Sequence, residues 1–137
     1  MSAGWRSTNG VERVVLLDTS VLIDVLRGSQ PAVVWLGSLQ EVPSCSELTR
    51  AEVLRGVRSP ERSRTDRLLS SLSWVAVDEP ISRRGGELGR RYRRSHPGLS
   101  IVDFLIAGTS QLLDAELVTA NVRHYPMFPG LTPPYSS

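Results

Sequence analysis

The sequence predicts a single α/β domain built on a short, mostly parallel sheet of four to five strands flanked by helices. Short apolar runs alternate with helix-like segments along the chain, the pattern that generates parallel sheets with right-handed crossovers. Val14-Val15-Leu16-Leu17 is continuously apolar rather than alternating, as a central strand buried on both faces requires. A length of 137 residues with 40% apolar content suits one domain with one core.

Residues 1–12 (MSAGWRSTNGVE) are polar and lack periodicity, so they read as a loose N-terminal extension. The domain then runs from 13 to 131, and 132–137 form a C-terminal tail. After the first strand, at 14–17, a short helix spans 21–26 and stops near Gly28. Pro31 opens a second helix to about residue 39, because proline is well tolerated in a first turn. Residues 42–45 form a weak strand, and Ser46 caps a helix through 57. Ser59-Pro60 starts a polar amphipathic helix over 61–72, with Leu68, Leu69 and Leu72 on its inner face. The next strand covers 74–77. Glu79-Pro80 opens a helix to about residue 94, which His96-Pro97-Gly98 ends. Ser100 caps a helix over 101–113, residues 116–119 form the last strand, and the proline-rich stretch after Tyr125 breaks up.

All 16 basic residues are arginine, a skew that phosphate recognition and a GC-rich genome would both produce, and the net charge is only +2. Six of these arginines fall in residues 83–94 (RRGGELGRRYRR) against Glu87, a local balance of +5. Such a run is either a solvated helix face or a phosphate-contacting rim. The longest apolar stretches are far too short to span a bilayer, and no cleavage pattern opens the chain, so cytoplasmic residence is the expectation. The single cysteine, Cys45, has apolar neighbours and no implied partner, and reads as a small core residue.

Three carboxylates lie in three separate apolar segments: Asp18 in VVLLDTSVL, Glu52 in LTRAEVLRG and Asp103 in SIVDFLIAGTS. Each has an ordinary explanation. Asp18 can cap the helix after it, Glu52 can close a capping box with Thr49, and Asp103 with Ser100. Their settings argue for more, since Leu48, Ile106 and Ala107 share helix faces with Glu52 and Asp103. Burying an ionised carboxylate costs several kcal/mol unless something compensates it. In a parallel sheet, ligands bind outside the carboxyl ends of the strands, where Asp18 lies, where helix N-termini gather and where the last strand delivers Thr119 and Asn121. Convergent oxygen ligands without cysteine or paired-histidine spacing favour Mg²⁺ or Mn²⁺ over zinc.

DTSVLIDVL, ELTRAEVLRG, SIVDFLIAGTS and LVTANVRHYPMFPGL, in that order across most of 14–131, resemble the PIN-domain ribonucleases of the VapC-like toxin type. The resemblance implies a three-layer α/β/α domain and a toxin that is an Mg²⁺- or Mn²⁺-dependent endoribonuclease, hydrolysing RNA phosphodiester bonds with a metal-activated water. It also implies inhibition by a cognate VapB-like antitoxin and a homodimer framing a basic RNA channel. Carried over by position, Asp18, Glu52 and Asp103 are the metal-binding acids, with Asp18 and Asp103 as direct ligands and Glu52 as ligand or water activator. Thr19, Ser20 and Asn121 would orient waters around them. Many members carry an aspartate after the last strand where this chain has Asn121 and His124, so one tightly held ion is expected. Arg90, Arg91, Arg93 and Arg94 are the candidate RNA contacts, and apolar residues of the second and third helices, such as Val33, Val34 and Leu54, belong to the core or to an antitoxin groove.

His96 reads as a loop residue and His124 as structural. A haloacid dehalogenase-type phosphotransferase would need an aspartate two residues after Asp18, and Ser20 stands there. A weakened PIN-like domain that only binds antitoxin or RNA is the alternative left open.

Overall fold

Strand β1 (Val15–Leu17) lies in the middle of the sheet, paired in parallel with β2 (Ser44–Ser46) on one side and β4 (Glu116–Val118) on the other. β3 (Ser73–Val75) extends the sheet beyond β2, giving the order β3-β2-β1-β4 with every pairing parallel. This computed structural model describes residues 14–136, and the expected extension over 1–12 lies outside the described residues. Pro43 has no N–H to give to the ladder, so β2 begins one residue later and not at 42.

The side-chain period of two splits β1 between two cores. Val15 and Leu17 join one apolar cluster with Val21, Val53 and Leu69, whereas Leu16 joins another with Leu88, Phe104 and Leu117. The first face is covered by α1 (Thr19–Leu26), α2 (Gln30–Gly37), α3 (Glu47–Gly56) and α4 (Arg62–Ser70). The second is covered by α5 (Glu79–Tyr92) and α6 (Ile101–Leu113), completing the expected three-layer α/β/α arrangement. The caps are chemical rather than incidental. Ser29, Ser46, Asp78 and Ser100 each accept a backbone N–H at the start of α2, α3, α5 and α6. The helix expected over 61–72 is instead a 3₁₀ turn at Ser59–Glu61 followed by α4.

The sheet order explains the position of the site. The chain moves outward from β1 through β2 to β3, then α5 and α6 carry it back to β4 on the other side of β1. The carboxyl ends of β1 and β4 therefore flank the point where strand order reverses, the usual ligand crevice of an open α/β sheet. α6 must lie close to α5 to make this return, and glycines allow it. A Cβ on Gly85 would stand 2.6 Å from Leu105 Cδ2 and 3.2 Å from Leu105 Cα, and one on Gly108 would stand 3.2 Å from the Gly85 nitrogen.

Cys45 is fully buried in the first core, and burial pushes its thiol up to about 12. At the C-terminus, the Tyr135 ring lies 6.3 Å from that of Trp35, and its hydroxyl donates to Asp24 Oδ2 at 2.8 Å. Among the described residues, no helix is long and apolar enough to cross a membrane.

The α5–α6 seam gives a paired prediction. Gly86 meets nothing within 4 Å of an added Cβ, so Gly86→Ala should gain roughly 0.5–1 kcal/mol of stability from helix propensity alone. Gly85→Ala should instead lose about 1–3 kcal/mol to overpacking despite the same propensity gain. Urea unfolding of both variants reads the difference, and equal stabilisation would refute the close-packed seam.

Candidate active site and metal centre

Asp18 follows β1 directly and is buried, with 7% of its surface exposed. It occupies the N-cap position of α1, yet its side chain makes no cap hydrogen bond, so capping does not explain it. Its carboxylate is held by hydroxyls from distant segments. Oδ1 accepts from Tyr125 at 2.7 Å, and Oδ2 accepts from Thr119 and from Ser20, both at 2.8 Å. Two of these donors are themselves fixed, because Ser20 accepts the Ala120 N–H at 3.1 Å and Thr119 accepts the Asn121 N–H at 2.9 Å. No ion pair among the described residues joins Asp18 or Glu52 to a basic side chain.

Glu52 lies in the middle of α3, beyond reach of the cap at Ser46, so the capping box with Thr49 does not form. Its Oε1 accepts instead from Thr19 at 2.5 Å, across the gap between α1 and α3, and Thr49 Oγ1 stands 2.9 Å from the same hydroxyl. Asp103 does form its capping box. Oδ2 accepts from the Ser100 N–H at 2.9 Å and from the Ser100 hydroxyl at 3.2 Å, and Asp103 N–H returns a bond to Ser100 Oγ at 3.3 Å. The other oxygen, Oδ1, faces His124 Nδ1 at 3.2 Å. Cap and site are the same side chain here: one oxygen fixes the helix start and the other looks into the site.

One open cavity of about 430 Å³ is lined by all three acids, together with Thr19, Ser20, Asn121 and His124. Asn121 is exposed; its backbone N–H donates to Thr119 Oγ1 and its carbonyl accepts the His124 N–H at 3.1 Å. His124 joins the cavity lining beside Asp103. Arg90, Arg91, Arg93 and Arg94 are exposed on the last turn of α5 and just after it, and none lines this cavity. The cations that do are Arg27 and Arg55. Helical spacing carried a signal for both: Arg55 stands three residues after Glu52, and Arg27 seven after Ser20, each on the same face as its partner. Tyr125 had no such signal, since its hydroxyl reaches Asp18 from a core position set by tertiary structure alone.

The donor set is chemically suited to a hard divalent cation. It offers carboxylate oxygens at an open cavity, and the most buried of them, Asp18, has hydroxyl donors rather than a cation beside it. Among the described residues, no group of three acids, histidines or cysteines is placed to hold a metal ion by itself, so an ion here would be held by fewer side chains, with waters completing its shell. That arrangement fits Mg²⁺, which keeps several waters and is held by one or two carboxylates.

Comparison with known proteins places this architecture in a family. The PIN domain model matches residues 15–126, and the chain belongs to the PIN-domain family, of the VapC-like type. It is 49% identical over 123 residues to Ribonuclease VapC19 of Mycobacterium tuberculosis, covering 88% of this chain and 98% of that protein. It is 42% identical to Ribonuclease VapC10 of the same organism over 125 residues, 90% of this chain and 94% of the relative. Among solved structures, a toxin-antitoxin complex from Klebsiella pneumoniae superposes with a TM-score of 0.77 at 29% identity, covering 90% of this chain and 99% of that chain.

Ser100 anchors Asp103, which makes it separable from the rest of the site. Ser100→Ala should cost about 1 kcal/mol in denaturant unfolding, the usual loss for an N-cap, while Ser100→Thr stays close to wild type. A Ser100→Ala protein as stable as wild type would show that the capping box does not hold α6.

Proposed function

We propose that the chain is a divalent-metal-dependent endoribonuclease acting as the toxin of a toxin–antitoxin pair. The observation that carries this reading is the convergence of Asp18, Glu52 and Asp103, from three separate segments, on one cavity flanked by Arg27 and Arg55. The 49% identity to a protein named as a ribonuclease supports the substrate class.

Asp18 and Asp103 would hold the Mg²⁺ or Mn²⁺, with Glu52 as third ligand or as the group that orients a water. When bound, the ion supplies a water of lowered pKa and neutralises charge on the phosphate under attack. The chain's own residues do the positioning. Thr119, Ser20 and Tyr125 keep Asp18 in one orientation, Thr19 keeps Glu52 facing the cavity, and Ser100 keeps one oxygen of Asp103 turned away so that the other is presented. Arg27 and Arg55 receive the phosphates next to the scissile one, and Arg90, Arg91, Arg93 and Arg94 hold the strand further out.

The partner we infer is a VapB-like antitoxin. A groove of about 310 Å³ between α1, α3 and α4 has an apolar lining that includes Ile23, Leu26, Val53 and Val57, and it shares Ile23 and Arg27 with the acid cavity. Val33, Val34 and Leu54 are 41%, 65% and 42% exposed, so part of the apolar surface of α2 and α3 remains outside the core. A helix seated in the groove would lie beside the acids. A toxin homodimer is part of the same reading, by family likeness alone.

Purified protein with Mn²⁺ and free of partner should cleave RNA, and Asp18→Asn or Asp103→Asn should lower the rate roughly 10²–10³-fold, the size of loss when one electrostatic element leaves an active site. Folded mutants that cleave as wild type would sink the metal-site assignment. Wild-type protein that binds RNA but leaves it intact would favour the binding-only alternative.

RNA affinity measured against salt in the Asp103→Asn background separates the two arginine sets. Each phosphate contact removed should reduce the slope of log affinity against log salt by about 0.7. Neutralising Arg27 and Arg55 should also lower kcat/KM in the active protein more than neutralising the four arginines at 90–94. An unchanged slope in both sets would remove arginine from the RNA interface.

A further inference from the structure

Tyr125 is a core residue, 1% exposed, in the same apolar cluster as Leu16 and Phe104, with its ring 6.4 Å from that of Phe128. Filling that space would need only phenylalanine. Yet the hydroxyl is present and lies 2.7 Å from Asp18 Oδ1, the one bond it makes among the described residues. A buried phenol without a partner is unfavourable, so the hydroxyl and Asp18 belong together.

The arrangement of donors on Asp18 is uneven. Oδ2 takes two hydroxyls, Thr119 and Ser20, which uses both of its acceptor positions. Oδ1 takes only Tyr125, so the position left for a cation is on Oδ1. The bonds to Oδ2 hold the carboxylate from one side. The bond to Oδ1 holds it from the other side, at the oxygen left for the ion, and burial of the ring keeps the donor itself in place.

We propose that Tyr125 is a positioning residue for the metal site: its hydroxyl fixes the plane of the Asp18 carboxylate and so sets the affinity of the RNA-free protein for a divalent ion. The inference rests on the metal-dependent reading above and deepens it. It adds a residue that touches neither the substrate nor the ion, and that lies outside the cavity lining.

The test is Mn²⁺ titration of RNA-free protein by calorimetry, comparing wild type, Tyr125→Phe and Asp18→Asn. Groups that orient a ligand typically change metal affinity 10–100-fold when removed, so Tyr125→Phe should weaken Mn²⁺ binding by at least about tenfold. The RNA cleavage it loses should return as Mn²⁺ is raised, which a merely structural defect would not do. Circular dichroism checks the fold. Unchanged or tighter Mn²⁺ binding by a folded Tyr125→Phe overturns the proposal while leaving the nuclease reading intact. A Tyr125→Phe protein that is unfolded without metal overturns it as well, by making the hydroxyl a folding requirement. Wild-type protein that neither binds Mn²⁺ nor cleaves RNA overturns both.

Discussion

A carboxylate buried at the end of the central strand is the constraint on which the site depends. An ionised Asp18 without compensation would cost several kcal/mol. Hydrogen bonds to a charged group contribute about 1.5–3 kcal/mol each, so the three hydroxyls from Ser20, Thr119 and Tyr125 are enough to offset that cost without a cation. They come from α1, from the residue just after β4 and from the chain beyond it. Asp18 can be buried only when these segments are in register, and the Asp18 N–H to Val118 carbonyl bond at 2.9 Å records the same register in the backbone. Fold and site are set by one condition.

The three acids are held in three different ways. Asp18 depends on tertiary donors, Glu52 on one hydroxyl across an interhelical gap, and Asp103 on a cap three residues away in sequence. Local geometry thus fixes how Asp103 points but not where it is. Its location is set by the return of the chain through α5 and α6, and that return needs the close approach at Gly85 and Gly108. Two glycines outside the cavity lining are therefore part of how the third acid arrives.

Much of this was legible in the sequence, and what was not has a physical reason. The element order and the capping serines at 46 and 100 follow from local signals, and helix and strand ends shift by only a residue or two. The acids stood out because polar charge inside apolar runs is costly, and Thr119 and Asn121 could be placed at the site from topology. The run at 83–94 was legible as charge, while its glycines, which let α6 pack, could be understood only with the partner helix present. Glu52 as a cap partner of Thr49 failed because the helix begins at Glu47, which leaves both residues inside it. Tyr125 and His124 were hidden for a common reason. They follow the last strand in a short 3₁₀ segment and its exit, where no periodicity tells which way a side chain faces.

The balance of charge bears on how such a cavity could accept a polyanion. Asp18, Asp24, Glu52 and Asp103 all line the cavity and repel phosphate, and a net charge of +2 on the whole chain offers little long-range attraction. Attraction must be local. Arg55 and Glu52 stand one turn apart on α3, so the helix that delivers an acid also delivers a cation within a Debye length of it. Arg27, two turns after Ser20 at the C-cap of α1, adds a second cation on the side of the hydroxyl that holds Asp18. On the nuclease reading, a metal ion lowers the negative charge at the centre while these arginines keep the margin positive. Phosphate would then find a favourable path only when the ion is in place, which ties substrate entry to a competent site.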